Sequence, residues 1–423
     1  MEFPQLFRVH QHFDAPSISD IDGEIHDQLT KLALGEKISP GETVAITAGS
    51  RGISNIAQII KAVVMHFQQL GAKPFIVPSM GSHGGGTAEG QRAIIEGYGM
   101  TEEFLGCPIR SSMETVLVCE SPEGVPIHFD QNAYQADHVF VCGRVKPHTR
   151  FSGEIESGLL KMMLIGLGKR TGARIYHRAI QDFSFDQILH SVIGEVLQKC
   201  SIVAGLGIVE NGYEQTAMLE AIHPQDFIER EKVLLKQAKD WFPKVPFEKV
   251  DLLLIDQIGK NISGSGMDTN VVGRKVYDHC AAEHEFPKVK RIALRGLTEA
   301  THGNACGFGI AEFATQAALD SVDWEITKVN ALTGGHPTVA MSPVIFPTDQ
   351  TMLENALTSI GLTEPPDARM VWIQDTLHLA EFECSTAFLK EVQANPALEI
   401  LREPLPLGFD EHGKILERYE HHS

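Results

Sequence analysis

Three histidines and a lysine stand in this sequence where their chemistry could be used. His83 lies in GSHGGGT and His148 in KPHTRFSGE. Each follows a short aliphatic run, and imidazole titrates near neutral pH, so together they read as an acid/base pair. The plainer alternative is two loop histidines facing water. The glycines around His83 offer flexible backbone N–H groups. No GK[ST] follows them and the pattern is not GxGxxG, so neither a P-loop nor a Rossmann dinucleotide site is supported. Arg51, in TAGSRG, could grip a carboxylate through two parallel hydrogen bonds or tie down its own loop.

Lys161 is the odder residue. It sits in GLLKMMLIGLG, a stretch apolar all round and therefore suited to burial. A lysine there is costly unless it meets an anion, has its pKa lowered or snorkels to the helix rim. His177 follows 16 residues later, in RIYH. Arg51, Lys146, Arg150, Lys161, Lys169 and Arg170 together could line a pocket for a small anion. DHCAAEHE, with His279, Cys280 and His284, has the residue types of a metal site, but its histidines are five apart, off one helical face. It reads as a solvated helix.

These residues need elements to hold them. Short β-branched or aliphatic runs alternate with longer helical stretches, the pattern of an α/β fold. Strands are expected at 43–48, 74–80, 138–145, 201–210, 251–258, 291–297 and 369–375. Ser54 is placed to cap a helix that runs to Gly71, and 187–198 has the same periodicity. Glycines and polar residues fall after the strands, in TAGSRGIS, SMGSHGGGT, KPHTRFSGE and GKNISGSGMDTN. Ligands of open α/β sheets bind beyond the carboxyl ends of strands, so these four loops suggest one composite site.

At 423 residues the chain exceeds one ordinary core. The stretch DWFPKVPFEK marks a domain connection. An N-terminal α/β domain is expected over 1–245 and a C-terminal one over 246–394, with the active site in the cleft between them. The Pro-rich tail, 395–423, is expected to pack back on the first domain. A net charge of −19 argues against binding along a nucleic-acid backbone. Seven scattered cysteines without CxxC favour free thiols over a disulfide frame. With no signal-peptide pattern and no apolar run near the ~20 residues of a membrane span, a cytoplasmic location is expected. The residues alone describe a two-domain enzyme handling a small anion with paired histidines.

At these loops the sequence resembles the nickel-dependent lactate racemase family, most closely over residues 40–210. His83 in GSHGGGT and His148 in KPHTRFSG match its two catalytic histidines. Lys161 in SGLLK matches the lysine that, in some members, joins the cofactor, and His177 in RIYH matches the nickel ligand. The resemblance implies nickel held in a nickel-pincer nucleotide, pyridinium-3,5-bisthiocarboxylic acid mononucleotide. It places Lys161, Ser157, Gly84 and Gly85 at that cofactor. Arg51 matches a residue that helps hold substrate; the family's second-domain substrate groups have no clean counterpart, and Lys260 in GKNISGSGMDTN and Asn304 in THGNACGFG fill that region instead. Its partners would be a 2-hydroxy acid and the proteins that mature the cofactor, with neither nucleic acid nor membrane.

There are departures. The family's first loop carries an aspartate and Thr-Arg-Pro, where this chain has Ala48-Gly49-Ser50-Arg51-Gly52. The segment from His148 to Lys161 is lengthened and contains Glu154 and Glu156, which the resemblance does not explain. The resemblance therefore implies a racemase or epimerase acting at C2 of a 2-hydroxy acid that the sequence does not specify. The C2–H bond is unactivated, so the hydrogen is expected to leave as hydride, which side chains cannot store and a cofactor can. Two alternating histidines suit inversion; a one-way dehydrogenase needs one. The competing readings are such a dehydrogenase or a lyase on the same scaffold, or a non-catalytic protein that binds an anion or cofactor.

Overall fold

The fold is α/β. The computed structural model describes residues 1–14, 16–50, 52–180 and 182–416 and divides the chain into two compact units, 14–242 and 1–13 with 243 onward.

The unit over 14–242 is built on a five-stranded sheet in the order Lys73–Pro78, Thr43–Ala48, His138–Arg144, Ile202–Glu210, Thr216–Ile222. The first four strands are parallel and the last is antiparallel. Successive residues divide between its two faces, as the strand period of two requires. Ala45, Phe75, Val77, Val139 and Val141 point into one core, with the helices Phe185–Lys199 and Phe227–Asp240. Val44, Ile46, Ile76, Phe140 and Cys142 point into the other, with Ile21–Thr30 and Ile56–Gln69. Burial on both faces explains why these strands are apolar throughout. Helix 56–69 starts differently from the expectation. Asn55 precedes it in a left-handed conformation, φ 59°, with no side-chain cap, and Ser54 instead donates its amide to Glu210 at 2.7 Å.

The second unit carries an eight-stranded sheet in the order Val344–Phe346, Phe313–Thr315, Lys288–Leu297, Lys249–Ile258, Met370–Ile373, Glu381–Ser385, Gln5–Gln11, Leu398–Pro406. This corrects the expected place of the tail. Residues 398–406 pair antiparallel with strand 5–11 in the second unit's sheet, so the tail and the N-terminal strand both leave the first unit. The reason is main-chain pairing: strand 5–11 accepts 381–385 on one side and 398–406 on the other. The segment 278–285 is an irregular loop and not a helix. Its turn is held by Glu285, whose carboxylate accepts the amides of Lys275, Val276 and Ala282.

Candidate active site

In the first unit the chain passes from strand 43–48 outward to 73–78, then returns to 138–144 on the other side. The crevice at such a reversal, beyond the carboxyl ends, is where ligands bind in these sheets. Ser50 and His148 follow the two strands that flank it, and His83 follows the third. Three of the four decorated loops therefore share one end of one sheet. The fourth, GKNISGSGMDTN, follows strand 249–258 in the other unit.

Arg51 lies outside the described residues. Its surroundings are well anchored. Tyr98 donates its hydroxyl to the Ser50 carbonyl at 3.1 Å. Arg144 reaches the Gly52 carbonyl at 3.2 Å and pairs with Glu210 at 2.5 Å.

His83 sits before three glycines in left-handed conformation, Gly84, Gly85 and Gly86, at φ 64°, 67° and 65°. A Cβ on Gly84 would lie 2.6 Å from the Gly90 carbonyl carbon, whereas one on Gly85 would meet nothing within 4 Å. Gly84 therefore packs the loop and Gly85 faces open space. The ring Nδ1 of His83 meets Ser50 Oγ at 2.5 Å. From below, fully buried Gln91 donates its amide to the carbonyls of Gly81 at 2.9 Å and His83 at 3.3 Å.

Beneath Gln91 lies Lys169, expected among the cations of an anion pocket. It is instead wholly buried, 3.0 Å from the equally buried Asp130, and donates to the Pro78 carbonyl at 2.5 Å. Its Nζ also reaches Gln91 Oε1 at 3.4 Å. Burial pushes the Asp130 carboxyl up and the Lys169 amine down, and each is pulled partway back by the other. The pair buttresses the His83 loop from inside.

The His148 loop is fixed by its two unexplained carboxylates. Glu156, 2% exposed, accepts the His148 amide at 2.8 Å and pairs with Lys239 at 2.7 Å. Glu154 pairs with Lys232 at 2.9 Å. Both lysines lie on helix 227–240, two turns apart, so the lengthened segment is docked along one helix face. Ser157 closes the loop's base, accepting the Lys146 amide at 2.7 Å and donating to its carbonyl at 2.6 Å. The His148 ring stacks on Phe151, with centroids 4.2 Å apart and planes at 6°, and Phe151 stacks on Phe185 at 4.3 Å.

Lys161 ends one helical turn, Gly158–Lys161, whose first amides, from Leu159 and Leu160, are accepted by buried Glu231. A π-helical turn follows over Met162–Gly166, closed by the Leu167 amide on the Met162 carbonyl at 2.9 Å. Such turns recur at functional sites because they re-aim side chains. Lys161 is half-buried, its Nζ 5.7 Å from the Phe151 ring centre. Helix Lys169–Ala179 brings in His177, also half-buried. Burial first, then the positive charge of Lys161, holds the His177 imidazole below its ordinary pKa. The structure thus joins His148, Phe151, Lys161 and His177 in one group.

Lys260 and Asn304 belong to the other unit. Lys260 donates to the Gly264 carbonyl at 2.5 Å, within its own loop. Asn304 is 6% exposed and accepts the Cys306 amide at 3.1 Å. Sequence reasoning missed Ser50, Gln91 and Asp130 as supports; no local pattern marks them, and Lys169, in GKRTGAR, reads only as one more cation of an anion pocket.

No protein-family model matches the sequence, and no curated protein matches it. Among solved structures, a protein from Thermotoga maritima shares 11% identity, with a TM-score of 0.51 over 83% of this chain and 96% of that one. The lactate racemase apoprotein from Thermoanaerobacterium thermosaccharolyticum shares 13% identity, with a TM-score of 0.48 over 91% of each chain. The likeness to the Thermotoga maritima protein is one of fold. Among the described residues, no helix is long and apolar enough to cross a membrane.

Proposed function

We propose that this protein is a racemase or epimerase that inverts C2 of a 2-hydroxy acid with a nickel-pincer nucleotide. The observation that carries the reading is the grouping of His148, Phe151, Lys161 and His177 beside a strand reversal that Ser50 also borders, with His83 hydrogen-bonded to Ser50.

The donor set of the group fits such a cofactor. A nickel-pincer nucleotide would bring sulfur donors of its own and need a donor from the protein. His177 supplies one: its lowered pKa keeps the imidazole neutral, with a lone pair to share. Sulfur donors with imidazole suit square-planar nickel. Lys161 places an amine beside His177, and Gly85 leaves room at the glycine loop. When bound, the cofactor supplies a hydride acceptor, which no side chain provides. The chain's own residues would move the hydroxyl proton, and His83 is exposed at its loop. Arg51 is the proposed partner of the substrate's carboxylate.

The test is to co-express the protein with cofactor-maturation proteins, measure nickel per chain, and follow single enantiomers of 2-hydroxy acids by chiral chromatography. About one nickel per chain and growth of the opposite enantiomer are expected. Release of a stoichiometric amount of 2-keto acid without inversion would mark a one-way dehydrogenase. Absence of both nickel and inversion overturns the reading.

A further inference from the structure

Lys161 ends a single helical turn, and a single turn has little stability of its own. Its place is set by what holds it. Helix 227–240 reaches the segment before and within the turn with three side chains. Lys232 pairs with Glu154 at 2.9 Å, Lys239 pairs with Glu156 at 2.7 Å, and Glu231 accepts the amides of Leu159 and Leu160. Each ion pair has one member open to water. Glu231 is different: it is 1% exposed, and among the described residues no cation pairs with it.

The neighbouring strands are shaped for the same turn. A Cβ on Gly143 of strand 138–144 would lie 3.0 Å from the Gly158 carbonyl. One on Gly205 of strand 202–210 would lie 2.7 Å from the Leu159 side chain. Gly158 itself has φ 85°, and a Cβ there would overlap the Glu231 carboxyl. Three glycines therefore admit the turn, and one glutamate holds its first amides.

Capping alone does not account for Glu231. Ser157 precedes the turn, and serine in that position commonly accepts such an amide. Here it makes no such bond, because its hydroxyl is committed to the Lys146 main chain. A buried carboxyl without a cation is a costlier acceptor, and desolvation raises its pKa to about 8. What it gives that a local serine cannot is a fixed distance between the turn and helix 227–240. The same helix holds the His148 loop through Lys239 and Glu156, so one element sets both.

We propose, resting on the hydroxy-acid reading, that Glu231 is the positioning residue for Lys161: it pins the turn 158–161 to helix 227–240 and so sets where the Lys161 amine stands at the cofactor. It acts through the amides of Leu159 and Leu160, not by contact with substrate.

The first test needs no cofactor. Lysines dimethylated with ¹³C-formaldehyde are followed by NMR, and Lys161→Arg assigns the Lys161 signal. The Lys161 amine lies 5.7 Å from the Phe151 ring centre, so ring current sets that signal apart from those of exposed lysines. In Glu231→Gln, which keeps an acceptor, the signal is expected to stay. In Glu231→Leu, which has none, it is expected to move to the exposed-lysine position while circular dichroism remains that of the folded protein. An unmoved signal in folded Glu231→Leu overturns the proposal, since Glu231 would then only stabilise the fold. A signal already at the exposed position in the unaltered protein overturns it too. If Glu231→Leu does not fold, Glu231→Asp, one methylene short of the amides, takes its place with the same two outcomes.

The second test uses protein co-expressed with the maturation proteins, in competition with a chelator. Glu231→Leu is expected to hold nickel about 10–100-fold less tightly than the unaltered protein, and Glu231→Gln to match it. Equal retention in all three overturns the positioning role. If the unaltered protein takes up no nickel, the hydroxy-acid reading falls, and the lysine signal alone then decides whether Glu231 positions Lys161.

Discussion

Glu156 accepts the backbone amide of His148 at 2.8 Å with one carboxylate oxygen and holds Lys239 at 2.7 Å with the other. A nearly buried side chain thus links a loop amide to a helix. Glu156→Ala leaves the amide unsatisfied and is expected to cost about 1–3 kcal/mol in urea denaturation. Glu156→Gln keeps a carbonyl for that amide and is expected to cost less. Equal losses in the two variants would show that the ion pair, and not the amide bond, holds the loop.

Lys169 and Asp130 are charges buried together, so removing either strands the other. Lys169→Met and Asp130→Asn are each expected to destabilise by about 3–5 kcal/mol. The double variant is expected to be more stable than the sum predicts, because its second change removes the charge the first one stranded. Additivity within about 0.5 kcal/mol in a double-mutant cycle would show the pair to be uncoupled.

Glu231 makes stability depend on pH. Desolvation outweighs the two amides it accepts and raises its pKa to about 8, against 4.5 for the ordinary group. Between those values the unfolded chain ionises Glu231 and the folded chain keeps it protonated. Its contribution is therefore fully present below pH 4.5 and is lost as pH rises toward 8. Glu231→Gln retains an acceptor for the helix amides and removes the ionisation. It is expected to gain on the order of 3 kcal/mol over the unaltered protein at pH 8.5, with the gain shrinking to nothing near pH 4.5. A stability difference that does not change with pH would contradict this.

The parts of the fold legible in the sequence were those whose burial leaves a local pattern. Strands 43–48 and 138–144 are covered on both faces and read as unbroken apolar runs. Strand 398–406 carries Pro404 and Pro406 and reads as a loop; it is tolerated as a strand because it lies at a sheet edge, where a missing N–H costs little. The loops bearing His83 and His148 were legible from their glycines and polar residues after strands. What fixes those loops was not. Gln91 reaches His83 from a helix, Asp130 meets Lys169 from a different strand end, and Lys239 meets Glu156 from a distant helix. Such pairs leave no periodicity. His148 Nδ1 accepts the amides of residues two and three positions on, which any residue types would supply.

Gly84 and Gly85 share a backbone conformation but not an environment, which separates folding from ligand access. Alanine at either position bears the left-handed penalty, about 1–2 kcal/mol. At Gly84 the new methyl would also lie 2.6–2.8 Å from the backbone of Gly90 and Gln91, where only main-chain movement could relieve it. Gly84→Ala is therefore expected to cost about 1–3 kcal/mol more than Gly85→Ala in thermal or urea denaturation. At Gly85 the methyl enters open space beside His83. If that space receives the cofactor, Gly85→Ala folds well yet retains less nickel after co-expression with the maturation proteins. Full nickel retention in a well-folded Gly85→Ala protein would place the cofactor elsewhere and return the glycine loop to a purely structural role.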